Sequence, residues 1–271
     1  ILSRHGVTTT LGPLDLAILR YGVPALVLLP LLWRIGLRPA GLPTSRLVWM
    51  VLGGGLPFGL LVMAGAQWAP AAHIGVFMAG SVPLFAAAGS RMTAGTALPG
   101  LHWLGLALLA MGLAVLGLYS HTEVNASWRG DALLVLAGAL WALYTLAFRG
   151  SGLSPWQGAA VVNAWSSLLL VPWVMVLGVP RLLQAPWAEV ALQAVGQGLA
   201  AGLLGLVAYM AAIARLGAAR ASLSAALVPL LTAFGAAWLI DEPLSATSMV
   251  ATGLVTVGVL LASFQPAPRT G

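Results

Sequence analysis

Residues 221–240 read ASLSAALVPLLTAFGAAWLI, a run with no charge that then stops on Asp241-Glu242-Pro243. An apolar run of about 20 residues crosses the hydrocarbon of a bilayer as one helix. In lipid every backbone polar group must find an internal partner, which leaves helices or closed barrels as the spanning structures. Pro229 sits mid-run, where it removes a backbone hydrogen bond and kinks the helix. Comparable runs occupy residues 14–35, 47–69, 71–90, 102–119, 131–148, 156–177, 190–213 and 244–264. Hydrophobic residues are 60% of the chain and charged residues 7%, against about a quarter charged in a soluble domain. The chain therefore belongs in lipid, as an all-α polytopic membrane protein.

The charges sort by side. Alternate connections carry Arg34, Arg38 and Arg46, then Arg91, Arg149, Arg215 with Arg220, and Arg269 in the tail. The opposite connections carry Arg4, Arg129 and Arg181 together with all six carboxylates: Asp15, Glu123, Asp131, Glu189, Asp241 and Glu242. Arg20 falls within the first complete span and, with Asp15, is read as a structural pair or a periplasmic latch. Arginine excess marks the cytoplasmic side, so the C-terminus is predicted inside. The twelve basic residues are all Arg and are scattered over short connections, which reads as topology and not as a nucleic-acid surface. There is no cysteine, so disulfides, thiolate catalysis and cysteine-bound metals are excluded. No cleavable signal peptide is visible. The opening ILSRH reads as the end of a first helix mostly missing from this chain.

An internal repeat follows by subtraction. Pro13 and Pro30 match Pro155 and Pro172 at one spacing, 142 positions. Ser81–Phe85 (SVPLF) matches Leu227–Leu231 (LVPLL) at a spacing of 146, which also carries Gly89 to Gly235 and Gly112 to Gly258. The predicted organisation is a first repeat at 1–119, a connector at 120–130, a second repeat at 131–264 and a tail at 265–271. An odd number of helices per unit, five, turns the second unit upside down and gives an inverted repeat of ten helices.

Three stretches carry a family resemblance: GDALLVLAGALWALYTLAFRG (130–150), DLAILRYG (15–22) and SLSAALVPLLTAFGAAWLIDEPLS (222–245). The sequence resembles the drug/metabolite transporter superfamily, in particular its EamA-type ten-helix members, and within them the aromatic amino-acid exporter branch. In the first repeat Gly95-Thr96 stands where Asp241-Glu242 stands in the second. The resemblance implies a bacterial inner-membrane transporter that exports amino acids or similar small metabolites. It implies alternating access through a central cavity. A drug or other metabolite transporter of the same fold is the alternative, with a channel or a membrane-embedded enzyme behind it. The four histidines are dispersed and HExxH is absent, so a non-enzyme is expected. No cofactor and no metal are expected, and the chain is expected to act as a monomer whose partners are its substrate and the bilayer.

No Asp, Glu or Lys lies mid-span. Intramembrane carboxylates are the usual ion relays, so a facilitator, an exchanger, or coupling through other groups is expected. Trp141 and Trp165 lie mid-span while most tryptophans lie near span ends, where interfacial anchoring explains them. An indole offers a flat apolar wall and one donor to an amphipathic solute; packing or lipid contact is the other reading. Asn163 and Tyr144, then Tyr21 and Tyr209, are candidate substrate contacts or interhelical hydrogen bonds. Ser81 precedes a repeated proline and either lines the site or bonds its own helix. Pro83 and Pro229 occupy matching repeat positions and are candidate cavity-wall hinges. His73 and Gln67, in or beside the connection AQWAPAAHIG, are candidate gating groups. The GxxxG pairs Gly55/Gly59 and Gly198/Gly202 predict close helix approach.

Overall fold

The computed structural model describes residues 2–8, 11–94, 100–120, 126–178, 180–223 and 227–263, and every regular element among them is a helix. A short α1, Leu2–Thr8, is followed by α2, in which Pro13–Val27 and Leu29–Ile35 meet at 65°. Then come α3 (Thr44–Trp68), α4 (Ala71–Gly89), α5 (Gly100–Tyr119), α6 (Trp128–Arg149), α7 (Pro155–Leu177) and α8 (187–223). The chain closes with α9 (Leu227–Leu239) and α10 (Ala246–Ser263). Seven of these are long and apolar enough to cross a bilayer singly, the bent α2 makes an eighth, and α9 is shorter.

Helices start earlier than the charge-free runs because caps, not charge, set their ends. Ser127 caps α6 by accepting from the Arg129 N–H, and Ser154 forms a reciprocal capping box with Gln157 ahead of α7. The loop expected around Arg215 and Arg220 is helical instead, and α8 continues to Leu223. Arginine and alanine are good helix formers, so the charges do not end it. Consequently Ala221–Leu223 belong to α8 and not to α9. The kink expected at Pro229 depends on residues 224–226, which lie outside the described residues, as does the Gly95-Thr96 turn.

Prolines break the regular turns in a readable way. Pro30 follows the α2 bend at Leu28, whereas its repeat mate Pro172 sits inside an unbroken α7. Two π-helical turns, Ile18–Gly22 and Ile74–Ala79, contain the carbonyls four residues before Pro24 and Pro83. Proline cannot donate to that carbonyl and its ring crowds it, and a widened turn relieves both. A third, Ala194–Gly205 in α8, is glycine-rich and proline-free.

Glycines set where the helices cross. A Cβ on Gly59 would collide with the Tyr21 ring, one on Gly55 with Ser166, and those on Gly198 and Gly202 with the α2 backbone at Leu19 and Arg20. Both GxxxG pairs are thus close-approach sites. Gly105, Gly112 and Gly258 do the same between α5 and α10. Nine of the eleven tryptophans are exposed, many at helix ends such as Trp128, Trp187 and Trp238; only Trp141 and Trp165 are partly covered. Exposed indoles at span ends form the aromatic belt of a membrane protein.

Candidate functional site

Trp141 is the centre of an aromatic cluster built from three helices. Its ring centroid lies 4.8 Å from Phe58 of α3, 4.9 Å from Tyr144 one turn further along α6, and 5.1 Å from Tyr209 of α8. Gly53 and Gly54 make room for this, because any Cβ there would enter the Tyr144 side chain. Thr145 Oγ1 donates to the Trp141 carbonyl at 2.9 Å and lies 3.3 Å from Tyr209 Oη. Tyr144 is fully buried and its hydroxyl has no partner. Buried hydroxyls are normally satisfied, so an orphan beside an indole marks a place where a polar solute atom or water can be held. Phe58 and Thr145 were not singled out from the sequence; Phe58 stands within the GLPFG run, read only for its glycines.

The other candidates fall elsewhere. Trp165 turns away from Trp141: its Nε1 donates to the Leu37 carbonyl at 2.8 Å and it packs with Leu42, Leu47, Val51 and Val161. Asn163 is buried between α7 and α8, its amide donating to Ala159 O at 2.9 Å and Gly202 O at 3.1 Å, while Oδ1 has no partner. Tyr21 donates to the Gly55 carbonyl, and Ser166 Oγ accepts the Leu56 N–H at 3.0 Å. These two side chains satisfy the break in α3 at Gly55, as an interrupted helix in lipid requires. Ser81 is buried against Gly138 of α6 and bonds its own helix at Met78 O. Pro83 lies inside α4, and Pro229 packs on Gly75. Asp15 and Arg20 do not pair. Asp15 accepts from the Gly12 and Leu182 N–H groups, and Arg20 donates to Gln197.

At the end of the bundle that gathers the carboxylates, α1 is tied down by charge. Arg4 Nε donates to Glu242 Oε1 at 2.7 Å, and its Nη1 donates to the carbonyls of Ala66 and Gln67. Glu242 Oε2 accepts the Ala71 N–H at 2.8 Å, the first residue of α4. The aim of Glu242 comes from Asp241, whose φ of 51° turns the chain after α9; aspartate tolerates this left-handed region better than most residues. Arg4, Gln67 and Glu242 line an open pocket of about 700 Å³, with His5, Thr8 and Trp68 on its walls. His73, expected in or beside a connection, is fully buried in the first turn of α4, its Nδ1 2.7 Å from Asp131 Oδ1. Ser120 Oγ donates to the other Asp131 oxygen at 2.6 Å. Arg4 and Glu242 are 238 residues apart, and nothing local in the sequence pairs them.

Residues 128–264, half of the chain, match the model of the EamA-like transporter family. The chain belongs to that family. As an EamA-like protein it is a multi-pass membrane transporter of small molecules, which fits a non-enzyme. A crystal structure of a protein aligns with 96% of this chain and 90% of its own, at a TM-score of 0.62 and 20% identity. At that identity the likeness is one of fold alone. Comparison with curated proteins gives no match. The match covers α6 to α10, so the Trp141, Tyr144 and Tyr209 cluster lies within it while Phe58 comes from outside it.

Proposed function

We propose that this protein is a monomeric exporter of amino acids or similar small metabolites in the bacterial inner membrane, with its carboxylate-bearing end outside and its C-terminus in the cytoplasm. The observation that carries the substrate class is the Trp141 cluster: Phe58, Tyr144 and Tyr209 surround the indole, and the buried Tyr144 hydroxyl has no partner. Such a site suits an apolar or aromatic side chain with one hydrogen-bonding group. The pocket at the carboxylate end adds a second reason. Arg4 and Glu242 line it together, and a cation beside an anion complements the carboxylate and ammonium of a zwitterion.

Transport then proceeds by alternating access, with two inverted repeats moving about the central site. Gly112 and Gly258, one repeat spacing apart, both lie in the α5–α10 contact, each facing the other helix, which is what a two-fold-related pair produces. The test is uptake of a panel of labelled amino acids into proteoliposomes. Aromatic and large apolar amino acids are expected to move fastest, and Trp141→Ala to lower their apparent affinity. If no amino acid moves faster than in protein-free liposomes, the substrate class is wrong, and a drug panel takes its place.

A further inference from the structure

Among the described residues one buried titratable pair takes no part in the aromatic site: His73 with Asp131. We propose that this pair is a proton-binding site that couples protonation to opening of the carboxylate-bearing end. The proposal rests on the transport reading only for what the opening accomplishes.

The geometry assigns the roles. Gly130 lets α6 begin against the Trp68 backbone and the Ala69 side chain, since a Cβ there would meet Trp68 C and O. This brings Asp131 beneath the first turn of α4. Its Oδ2 accepts from Ser120 at 2.6 Å and its Oδ1 faces His73 Nδ1 at 2.7 Å. An ionised carboxylate only accepts, so His73 carries its proton on Nδ1. Nε2 is then a bare acceptor, fully buried and without a partner. On the ring a second proton goes to Nε2, the one nitrogen left bare. In the closed protein that N–H would be a charged donor with nothing to bond, which is costlier than a neutral orphan. Water supplies the missing acceptor once the turn opens. By linkage, a proton that binds more tightly to the open form favours opening by the same factor. The step is a simple proton transfer from hydronium to Nε2, reversed when the site later faces the other solution.

The surroundings leave the pair electrically isolated. From the α9–α10 turn comes Glu242, two residues away on the Ala71 N–H, and Arg4 of α1 neutralises it. His73 meets the Phe77 ring one turn along its own helix, centroids 5.6 Å apart, and Phe77 belongs to an apolar cluster that takes Ala66 and Ala69 from α3, Leu116 from α5, and Ala251 and Val255 from α10. Helix α10 contains no charged residue at all, and α5 contains only His102, near its opposite end, and the exposed Tyr119 as titratable groups. Arg129, two residues before Asp131 in sequence, lies over the exposed Trp128 ring. The same first turn is therefore held by two carboxylates, one fixed by Arg4 and one able to respond to a proton through His73.

The chain has no cysteine, so a cysteine at the buried Ala72 reports opening directly. In full-length protein, thiol labelling normalised to a free thiol is expected to be about tenfold faster at pH near 5.5 than at pH near 8, the range in which histidine titrates. His73→Asn, which keeps a donor toward Asp131 but cannot titrate, should abolish that ratio, and Asp131→Asn should reduce it. In proteoliposomes His73→Asn should retain exchange of labelled phenylalanine at equal pH yet lose accumulation driven by a pH gradient. Labelling that stays pH-dependent in His73→Asn overturns the proposal. So does a wild-type His73 ring whose ¹⁵N resonances do not move across that pH range, a measurement that needs no variant. Absence of phenylalanine exchange in the wild type, with pH-dependent labelling intact, would instead reject the amino-acid reading and leave the proton site standing.

Discussion

Asn163 bridges α7 to α8 with one amide group, and Trp141 holds three rings around its own, so the two residues lend themselves to opposite experiments. Asn163→Ala removes a bond within α7, to Ala159, and the bond across to Gly202 of α8; an interhelical bond of the latter kind contributes about 0.6–2 kcal/mol. The expected outcome is a modest drop in unfolding midpoint in detergent, with substrate affinity unchanged in the folded fraction. Trp141→Ala should weaken binding and also cost roughly 3–5 kcal/mol of stability where the packing does not relax. Trp141→Phe keeps most of the wall and should be the milder change in both measurements. Affinity is therefore read on material that still elutes as a monodisperse species. Trp165→Ala should leave affinity near wild type, because that indole is bonded to Leu37 and packed in a different cluster.

The α5–α10 pair isolates what a close helix approach requires. On α10, a Cβ at Gly258 would strike Leu109 N and Gly105 O, backbone atoms that cannot move aside, while one at Gly253 meets nothing within 4 Å. Gly258→Leu is expected to destabilise by about 1–3 kcal/mol or more, the usual effect of overpacking. Gly253→Leu, on the exposed side of the same helix, should change the thermal midpoint little. Equal effects of the two would show that helix propensity, and not contact, decides. The widened turns of α2 and α4 belong to this scale as well. Each contains the carbonyl that a following proline leaves without its donor, so the prolines could be read from the sequence but the π-turns could not.

For the whole molecule, the arginine distribution makes a topology prediction. The cysteine-free chain gives a clean background. A cysteine at Arg38 or Gly217 should resist an impermeant reagent added outside cells, and one at Asn125 should react. Reversed labelling would invert the orientation and with it the direction of the proposed export. Glu242→Gln tests the closure of the carboxylate end. It takes the counter-ion from Arg4 at a part-buried pair that lines an open pocket, and so loosens the tie between α1 and the start of α4. The expected signature is faster labelling of Ala72→Cys at every pH, in contrast to the pH-selective behaviour assigned to His73.

Read alone, the order of residues makes the chain helical and membrane-spanning, places most of its helices to within a few residues, and sets two tryptophans apart from the others. Those follow from composition, run length and spacing, which are local and one-dimensional. It also marked Gly55/Gly59 and Gly198/Gly202, because a missing side chain on a lipid-soluble helix has few purposes other than close packing. Which face of each helix meets which neighbour is settled by packing in three dimensions. Trp141 and Trp165 look equivalent in the chain, yet one enters a three-helix aromatic cluster and the other bonds the α2–α3 connection. Asp131 and His73 look like span-end residues, and packing of α6 under α4 buries both. Arg4 meets Glu242 across 238 residues. Apolar periodicity carries little facing information in a chain where nearly every face is apolar, so the few polar partners are selected by three-dimensional packing and not by spacing along the chain.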